Sequence, residues 1–152
     1  MSDTLVLGCG NHPVAGAINH DRTRFADYVD VAHDLNSVPW PWPDDTFGHV
    51  VAHSLVEHLD SFYAFFDEAW RILRPSGTIE VIVPRWDHIN VAIDPTHKRG
   101  YVRESFHFLD PDTQWGAKAT MYSDRRWKLL ACREIVTGGI ASDVFAKLEV
   151  RK

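Results

Sequence analysis

The stretch that decides the fold is HVVAHSLVEHLDSFYAFFDEAWRILRPSGTIEVIVP, residues 49–84. It opens on HVVAH, a short apolar run typical of a buried strand, and closes on TIEVIV, a second strand that a proline ends. Between these runs, Asp60 or Ser61 can cap a helix that extends to about Leu73. Pro75-Ser76-Gly77 predicts its end. The helix has apolar side chains at spacings of three and four residues: Phe62, Phe65, Phe66, Ala69, Trp70 and Leu73.

Further strand signals lie on both sides of this stretch. Three short runs precede it and two longer runs follow it, at residues 4–7, 14–19, 28–32, 127–136 and 144–150. The last two are joined around Thr137-Gly138-Gly139, a connection too short for a parallel crossover of about a dozen residues. The predicted fold is therefore an α/β, Rossmann-like, mostly parallel sheet with a C-terminal antiparallel hairpin and few helices.

Two connections are predicted as loops. Three prolines in VPWPWPDD, residues 38–45, exclude a helix or a central strand and predict a stiff surface loop. Its Trp40 and Trp42 either cover the core, the commoner use, or stack on a base. Residues 85–100 have the pattern of a loop, and Glu104–Leu109 that of a short helical turn.

Composition limits the class of protein. The chain has 152 residues, so we expect one domain over residues 1–152, and its net charge of -5 argues against a nucleic-acid binder. No apolar run is long enough to span a membrane. Signal-peptide features are lacking, and Cys9 and Cys132 form no disulfide framework, so we expect a cytoplasmic location.

Charge is distributed unevenly along the chain. Residues 1–76 carry four Lys or Arg and eleven Asp or Glu, whereas residues 77–152 carry twelve and ten. This difference is either ordinary surface variation or a sign that the second half faces an anionic substrate or partner.

A glycine turn and two acids follow the first three strands. Gly8 and Gly10 come directly after the first run, where glycine permits a sharp turn and close approach of a ligand, although such a pair is often only a turn. Asp21 follows eleven residues after Gly10, either as a ribose ligand or as a surface residue paired with an arginine. Asp34, before Leu35, either accepts from an adenine amine or forms an Asx-turn.

The combined pattern resembles the class I S-adenosylmethionine-dependent methyltransferases. The resemblance rests on LGCGN at 7–11, SLVEHL at 54–59, RILRPSG at 71–77 and the strand ending at Pro84, and it covers about residues 4–84. The chain departs from the family pattern at Ser76 and Gly48 and in its short first helix. With serine at 76, a type II turn would need Gly77 alone to supply positive φ.

The resemblance implies S-adenosylmethionine as cofactor, with S-adenosylhomocysteine as product, and assigns roles to individual residues. Gly8 and Gly10, helped by Asn11, would approach the methionine part of the cofactor. The ribose would be held by Asp21, and the adenine by Asp34 and Leu35. The residues that would line the pocket near the sulfonium are His53 and Ser54.

The loop after the strand ending at Pro84 is expected to meet the methyl acceptor, because sites in this fold lie beyond the carboxyl ends of the strands. Its DPTHKR segment contains His97, a candidate base along with His53, and Lys98 and Arg99, which can hold an anionic group. The alternative is a solvated polar loop.

No metal site is expected from the sequence. The nine histidines include no pair with convincing ligand spacing: Glu57-His58 is not an H-E-x-x-H motif, and His88 and His97 are nine residues apart in the loop.

The predicted function is transfer of a methyl group from S-adenosylmethionine to an acceptor that the sequence does not identify. One alternative is a non-catalytic module or subunit that binds S-adenosylmethionine or S-adenosylhomocysteine. Another is an enzyme that uses a different adenosyl ligand, such as an aminopropyl transferase. The sequence leaves the oligomeric state open.

Overall fold

The computed structural model describes residues 2–152, which form one seven-stranded sheet with helices and loops packed on it. The strands follow the order β3-β2-β1-β4-β5-β7-β6 across the sheet. Their bounds are β1 Thr4–Leu7, β2 Ile18–Asp21, β3 Val31–Ala32, β4 Phe47–His53, β5 Leu73–Pro84, β6 Arg126–Thr137 and β7 Ile140–Arg151. The helices are α1 Phe62–Ile72, α2 Asn90–Ile93 and α3 Arg103–His107, with 3-10 turns at Val56–His58 and Gly116–Lys118.

The sheet has the predicted mixture of strand directions. All pairings among β1 to β5 are parallel, and β7 pairs antiparallel with both β5 and β6. The tight turn at Gly138 and Gly139, both with positive φ, makes β6 and β7 the hairpin that closes one edge. The predicted α/β fold with a C-terminal antiparallel hairpin is confirmed.

Helix α1 forms where its apolar spacing predicts it. Ser61 caps it, since the Ser61 hydroxyl accepts a hydrogen bond of 3.1 Å from the main-chain N–H of Ala64. Its buried face packs on the main core against the sheet, through Phe65, Phe66, Ala69 and Ile72. The helix thereby fixes the short segment between β4 and α1, which contributes to the site.

The connections between the first strands contain no helix. Residues 10–17 form turns, so β2 begins at Ile18 rather than near Val14, and β3 is only two residues long. The proline-rich loop takes the place of a helix before β4, with Trp40 and Trp42 buried in the core. Arg71 of α1 fastens this loop by donating hydrogen bonds to the carbonyl oxygens of both tryptophans. The two indoles therefore cover the core, the commoner use.

The turn predicted after α1 lies within the start of β5, where the pairing of β5 with β4 is irregular. Positive φ is adopted by Ser76 itself, at 61°, and not by Gly77. A Cβ on Gly77 would lie 2.9 Å from the carbonyl oxygen of Arg74, so this glycine is needed for close packing. At the other departure from the family pattern, a side chain on Gly48 would collide with the carboxylate of Asp3, which pairs with Arg74.

No helix among residues 2–152 has the length and apolar character needed to span a membrane. Both cysteines are free thiols.

Candidate active site

The site is built on the turns that follow the parallel strands. Gly8 and Gly10 both have positive φ, at 63° and 52°, which turns the chain sharply after β1. Asp21, the acid at the end of β2, accepts hydrogen bonds from this turn and from Arg22, the residue that follows Asp21. Oδ2 of Asp21 accepts from the N–H of Gly10 at 2.9 Å, and Oδ1 accepts from the N–H of Arg22 at 2.7 Å. The glycine turn and Asp21 therefore form one unit.

A cavity of about 800 Å³ opens at this edge of the sheet. It brings together four of the predicted cofactor residues and one candidate base, although they lie at or after the carboxyl ends of five different strands. Its walls include Gly8, Asp21, Asp34, Ser54 and His97, together with Arg22, Asn36, Leu55, His58, Asp60, Pro95, Thr96 and Lys98.

A second cavity, of about 510 Å³, adjoins the first and shares Gly8 and Ser54 with it. It contains Gly10 and the other candidate base, His53. Ser54 stands between the two with φ at 52°, a conformation that residues other than glycine rarely adopt. Its N–H donates to the carbonyl oxygen of Ile82 at 2.8 Å, so the sheet holds the strained residue in place.

Two of the predicted cofactor residues lie elsewhere. The side chain of Leu35 is only 6% exposed and belongs to the core, so it does not line either cavity, and its contact with adenine stays a prediction. The chain turns at Asp34, and Asn36 lines the large cavity. Asn11 is exposed and lies outside both cavities, with its side-chain oxygen accepting from the hydroxyl of Tyr28 at 3.3 Å.

Asp34 forms the Asx-turn, one of the two alternatives weighed for it, and its contact with an adenine stays a prediction. Its Oδ1 accepts from the N–H of Asn36 at 3.0 Å in an Asx-turn, and its carboxylate also lines the large cavity. Oδ2 lies 3.5 Å from the guanidinium of Arg22, which is largely exposed. Arg22 therefore lies on the side of the cavity formed by Asp21 and Asp34, a position that sequence patterns did not indicate.

The loop after β5 folds back over the segment after β4. The main-chain N–H of Lys98 donates to the carbonyl oxygen of Glu57 at 2.8 Å, and the Lys98 ammonium pairs with Asp60. This contact brings His97 to the wall of the cavity, 3.9 Å from the carboxylate of Glu57. His97 and Lys98 of this loop therefore contribute to the walls of the cavity, while much of the rest of the loop is exposed.

Burial perturbs several titratable groups here. It raises the pKa of Glu57 to about 7, since its carboxylate is almost completely removed from solvent. Burial also lowers the pKa values of His53 and His58, in the latter case with help from the charge of His97. Glu57 is not among the site residues that the sequence predicts; the available signal was its charge directly after the apolar pair Leu55-Val56.

Comparison with known proteins identifies the domain. Residues 10–81 match the profile of a family described as "Methyltransferase domain". No curated protein sequence matches the chain.

Solved structures share the fold at low sequence identity. An S-adenosylmethionine-dependent methyltransferase from Archaeoglobus fulgidus has a TM-score of 0.65 at 16% identity, with 97% of this chain and 86% of that chain covered. The N-methyltransferase NodS from Bradyrhizobium japonicum, in complex with S-adenosylhomocysteine, has a TM-score of 0.64 at 12% identity, covering 99% and 79%. A putative methyltransferase from Haloferax volcanii, in complex with the activator Trm112, has a TM-score of 0.67 at 14% identity, covering 99% and 84%. The family match covers residues 10–81, and the solved structures show that the chain has the fold of the class I S-adenosylmethionine-dependent methyltransferases.

Proposed function

We propose that the protein transfers the methyl group of S-adenosylmethionine to an acceptor that approaches the loop after β5, residues 85–100. The observation that carries the proposal is the large cavity, which joins Asp21 and Asp34 on one side to His97 and Lys98 on the other. The first pair suits the nucleoside, and the second suits an acceptor.

The residues present fit the cofactor. Asp21 uses one lone pair of each carboxylate oxygen on a main-chain N–H, which leaves one on each oxygen for the two ribose hydroxyls. Around Gly10, no atom lies within 4 Å of the position a Cβ would take, so a ligand can approach the backbone there. The methionine part would lie over Gly8 and Gly10, where the two cavities meet.

The adenine would lie near Asp34 and Asn36. Asp34 would accept from the exocyclic amine, and Arg22 would then exchange its contact with Asp34 for solvent. An exposed ion pair of this kind contributes roughly 0–1 kcal/mol, so the exchange costs little.

When bound, S-adenosylmethionine supplies an activated methyl group, open to in-line attack by a nucleophilic atom. The protein would hold the acceptor in line with that group and exclude water, which accounts for much of the rate gain in such reactions. His97 lines the cavity and is the candidate to accept a proton from the acceptor; His53 faces the second cavity. Of the two cations predicted to hold an anionic group, Lys98 pairs with Asp60, and Arg99 lines a different cavity beside Phe62 and Tyr63.

Calorimetry with S-adenosylmethionine and S-adenosylhomocysteine, followed by a screen with radiolabelled methyl donor, tests the proposal. Binding of both ligands with transfer to at least one acceptor class supports it, whereas absence of binding by the folded protein contradicts it. His97→Ala should lower turnover and leave cofactor affinity within about threefold, roughly 0.6 kcal/mol. A loss of cofactor binding in this variant would place the loop in the cofactor pocket instead.

The second candidate function is a cofactor-binding subunit without transfer activity of its own. It is supported by the Haloferax volcanii relative, whose structure is a complex with an activator protein. Binding without transfer by the isolated chain, with transfer restored by a partner, would favour this function. A cytoplasmic location stays a prediction.

A further inference from the structure

Three side chains of metal-ligand type meet where the loop after β5 contacts the turn after β4. These residues, Glu57, His58 and His97, are called the Glu57 cluster below. Each offers one ligand atom, and these atoms all lie within 4.8 Å of one another. Since His97 lies 39 residues after His58, no local spacing in the sequence signals the group.

Two polar atoms of the cluster are buried without a hydrogen-bond partner among residues 2–152. They are Oε2 of Glu57 and Nδ1 of His97. The Glu57 residue is 1% exposed. Burying a carboxylate with no compensating partner is costly, and folded proteins normally avoid it unless the group is neutralised or binds a cation. Oε2 of Glu57 is therefore a buried acceptor to which no group among residues 2–152 donates a hydrogen bond.

A chain of hydrogen bonds selects the tautomer of His58. The Thr96 hydroxyl donates its one proton to Oδ1 of Asp94 at 2.7 Å, so it can only accept from His58 Nδ1, which lies 2.9 Å away. The proton of the neutral imidazole is therefore on Nδ1, and Nε2 keeps a free lone pair. A hydrogen bond that fixes the far nitrogen in this way is the usual support of a metal-binding histidine.

The separations suit ligands that share an ion better than they suit hydrogen bonds. Nε2 of His97 lies 3.9 Å from Oε1 of Glu57 and 3.7 Å from Oδ2 of Asp94, beyond hydrogen-bond length. Ligand atoms at about 2.1 Å from a tetrahedral zinc ion lie about 3.4 Å apart. Since the ligand atoms of the cluster lie up to 4.8 Å apart, closing it around an ion requires their separations to shorten by up to about 1.4 Å.

The cluster is accessible from two sides. His58 and His97 line the large cavity, while Glu57, Asp94 and His97 line a smaller cavity of about 240 Å³ beside Pro84. Either opening provides an entry path, which a metal site needs in addition to its ligands.

We propose that Glu57, His58 and His97 bind a divalent transition-metal ion, with Asp94 as a fourth ligand. Two imidazoles and carboxylates form a donor set that suits zinc and its neighbours in the first transition row. The site goes beyond the proposed methyl transfer: with the ion bound, His97 is a ligand, and His53, which lines the second cavity, is the remaining candidate base. It also replaces the expectation, drawn from sequence spacing, that the chain has no metal site.

The test is a titration of the full chain, stripped with chelator, with Zn²⁺ by calorimetry and with Co²⁺ by visible absorption. We expect one equivalent to bind, with visible bands of low-symmetry Co²⁺. Glu57→Gln and His97→Ala should each weaken Zn²⁺ binding by at least about tenfold. His12→Ala and Glu104→Gln change exposed residues of the same types outside the cluster and should bind as the wild type does.

A measurement on the wild-type protein tests the proposal even if a variant fails to fold. In ¹⁵N-edited imidazole spectra, one equivalent of Zn²⁺ should shift the ring signals of His58 and His97 and leave that of His12 unchanged. Absence of Zn²⁺ binding by the folded wild type would overturn the proposal, as would full affinity in folded Glu57→Gln and His97→Ala. S-adenosylmethionine binding is measured in parallel on the metal-free chain, so failure of the metal site is distinguishable from failure of the proposed function.

Discussion

The main-chain N–H of Gly10 donates a hydrogen bond of 2.9 Å to Oδ2 of Asp21, which joins the turn after β1 to the acid after β2. No helix lies between β1 and β2, so the end of β2 is held against the turn after β1 by this hydrogen bond and not by the packing of a crossover helix. It aims the carboxylate along the edge of the sheet, where the large cavity opens. Asp21 therefore both shapes the glycine turn and lines the large cavity.

Replacing Asp21 by alanine should weaken S-adenosylmethionine binding by about ten- to a hundredfold. Hydrogen bonds to a charged group contribute roughly 1.5–3 kcal/mol, which corresponds to that range. Calorimetry measures the change. Asp21→Asn keeps an oxygen for the N–H of Gly10 and separates loss of the ribose contact from disturbance of the turn. Asp27→Ala, at an exposed position, is the control, and unchanged affinity in both Asp21 variants would show that the ribose acid is misassigned.

Gly10→Val should abolish cofactor binding and leave most of the fold intact. The space beside Gly10 is open in the protein, so a branched side chain would occupy the volume the ligand needs, and φ at 52° disfavours it further. Gly138→Val is a matched control, since Gly138 has φ at 59° and equally open surroundings but lies in the hairpin turn between β6 and β7. Both variants should lose similar stability in thermal melts, and only Gly10→Val should lose binding. Normal binding by Gly10→Val would place the turn outside the cofactor site.

The parts of the fold that the sequence predicts are those set by local patterns. Helix α1 and its Ser61 cap follow from apolar spacing and one hydroxyl, and the hairpin follows from two glycines between two apolar runs. The start of β2 does not follow from such a pattern. Val14 is exposed in a turn, while buried Asn19 lies in the strand, with its side chain hydrogen-bonded to main-chain atoms of Val14. Tertiary contacts there override apolar character.

The candidate site likewise contains residues whose positions the sequence predicts and residues whose positions depend on tertiary contacts. The positions of Gly8, Asp21 and Asp34 follow from the rule that ligands bind beyond the carboxyl ends of parallel strands. The Glu57 cluster depends on how the loop after β5 folds back, through the contact from the N–H of Lys98 to the carbonyl oxygen of Glu57, across 41 residues. No periodicity encodes a contact of that kind.

Ser76→Gly should stabilise the protein by about 0.5–1 kcal/mol. Ser76 has φ at 61°, which costs a residue with a Cβ roughly 1–2 kcal/mol, and glycine removes that strain at some cost in unfolded-state entropy. Denaturant unfolding followed by circular dichroism measures the difference. Gly77→Ala should act in the opposite direction, because its Cβ would lie 2.9 Å from the carbonyl oxygen of Arg74. If both variants were equally destabilised, the assigned conformation of this turn would be wrong.

Glu57 should make the metal-free protein less stable as the pH rises. Burial raises its pKa from the usual 4.5 to about 7 in the folded state, so between these values the unfolded chain releases a proton that the folded chain keeps. Stability contributed by the neutral carboxyl is fully present below about pH 4.5 and is lost as the pH passes 7. The loss is on the order of 3 kcal/mol, since each unit of pKa shift corresponds to about 1.4 kcal/mol. Glu57→Gln, which is neutral throughout, should match the wild type near pH 4 and exceed its unfolding free energy at pH 8 in chelator. Glu104→Gln controls for loss of a surface charge. Parallel pH profiles of the wild type and Glu57→Gln would mean that the Glu57 carboxylate is solvated or paired, and that the buried acceptor at the centre of the cluster is wrongly placed.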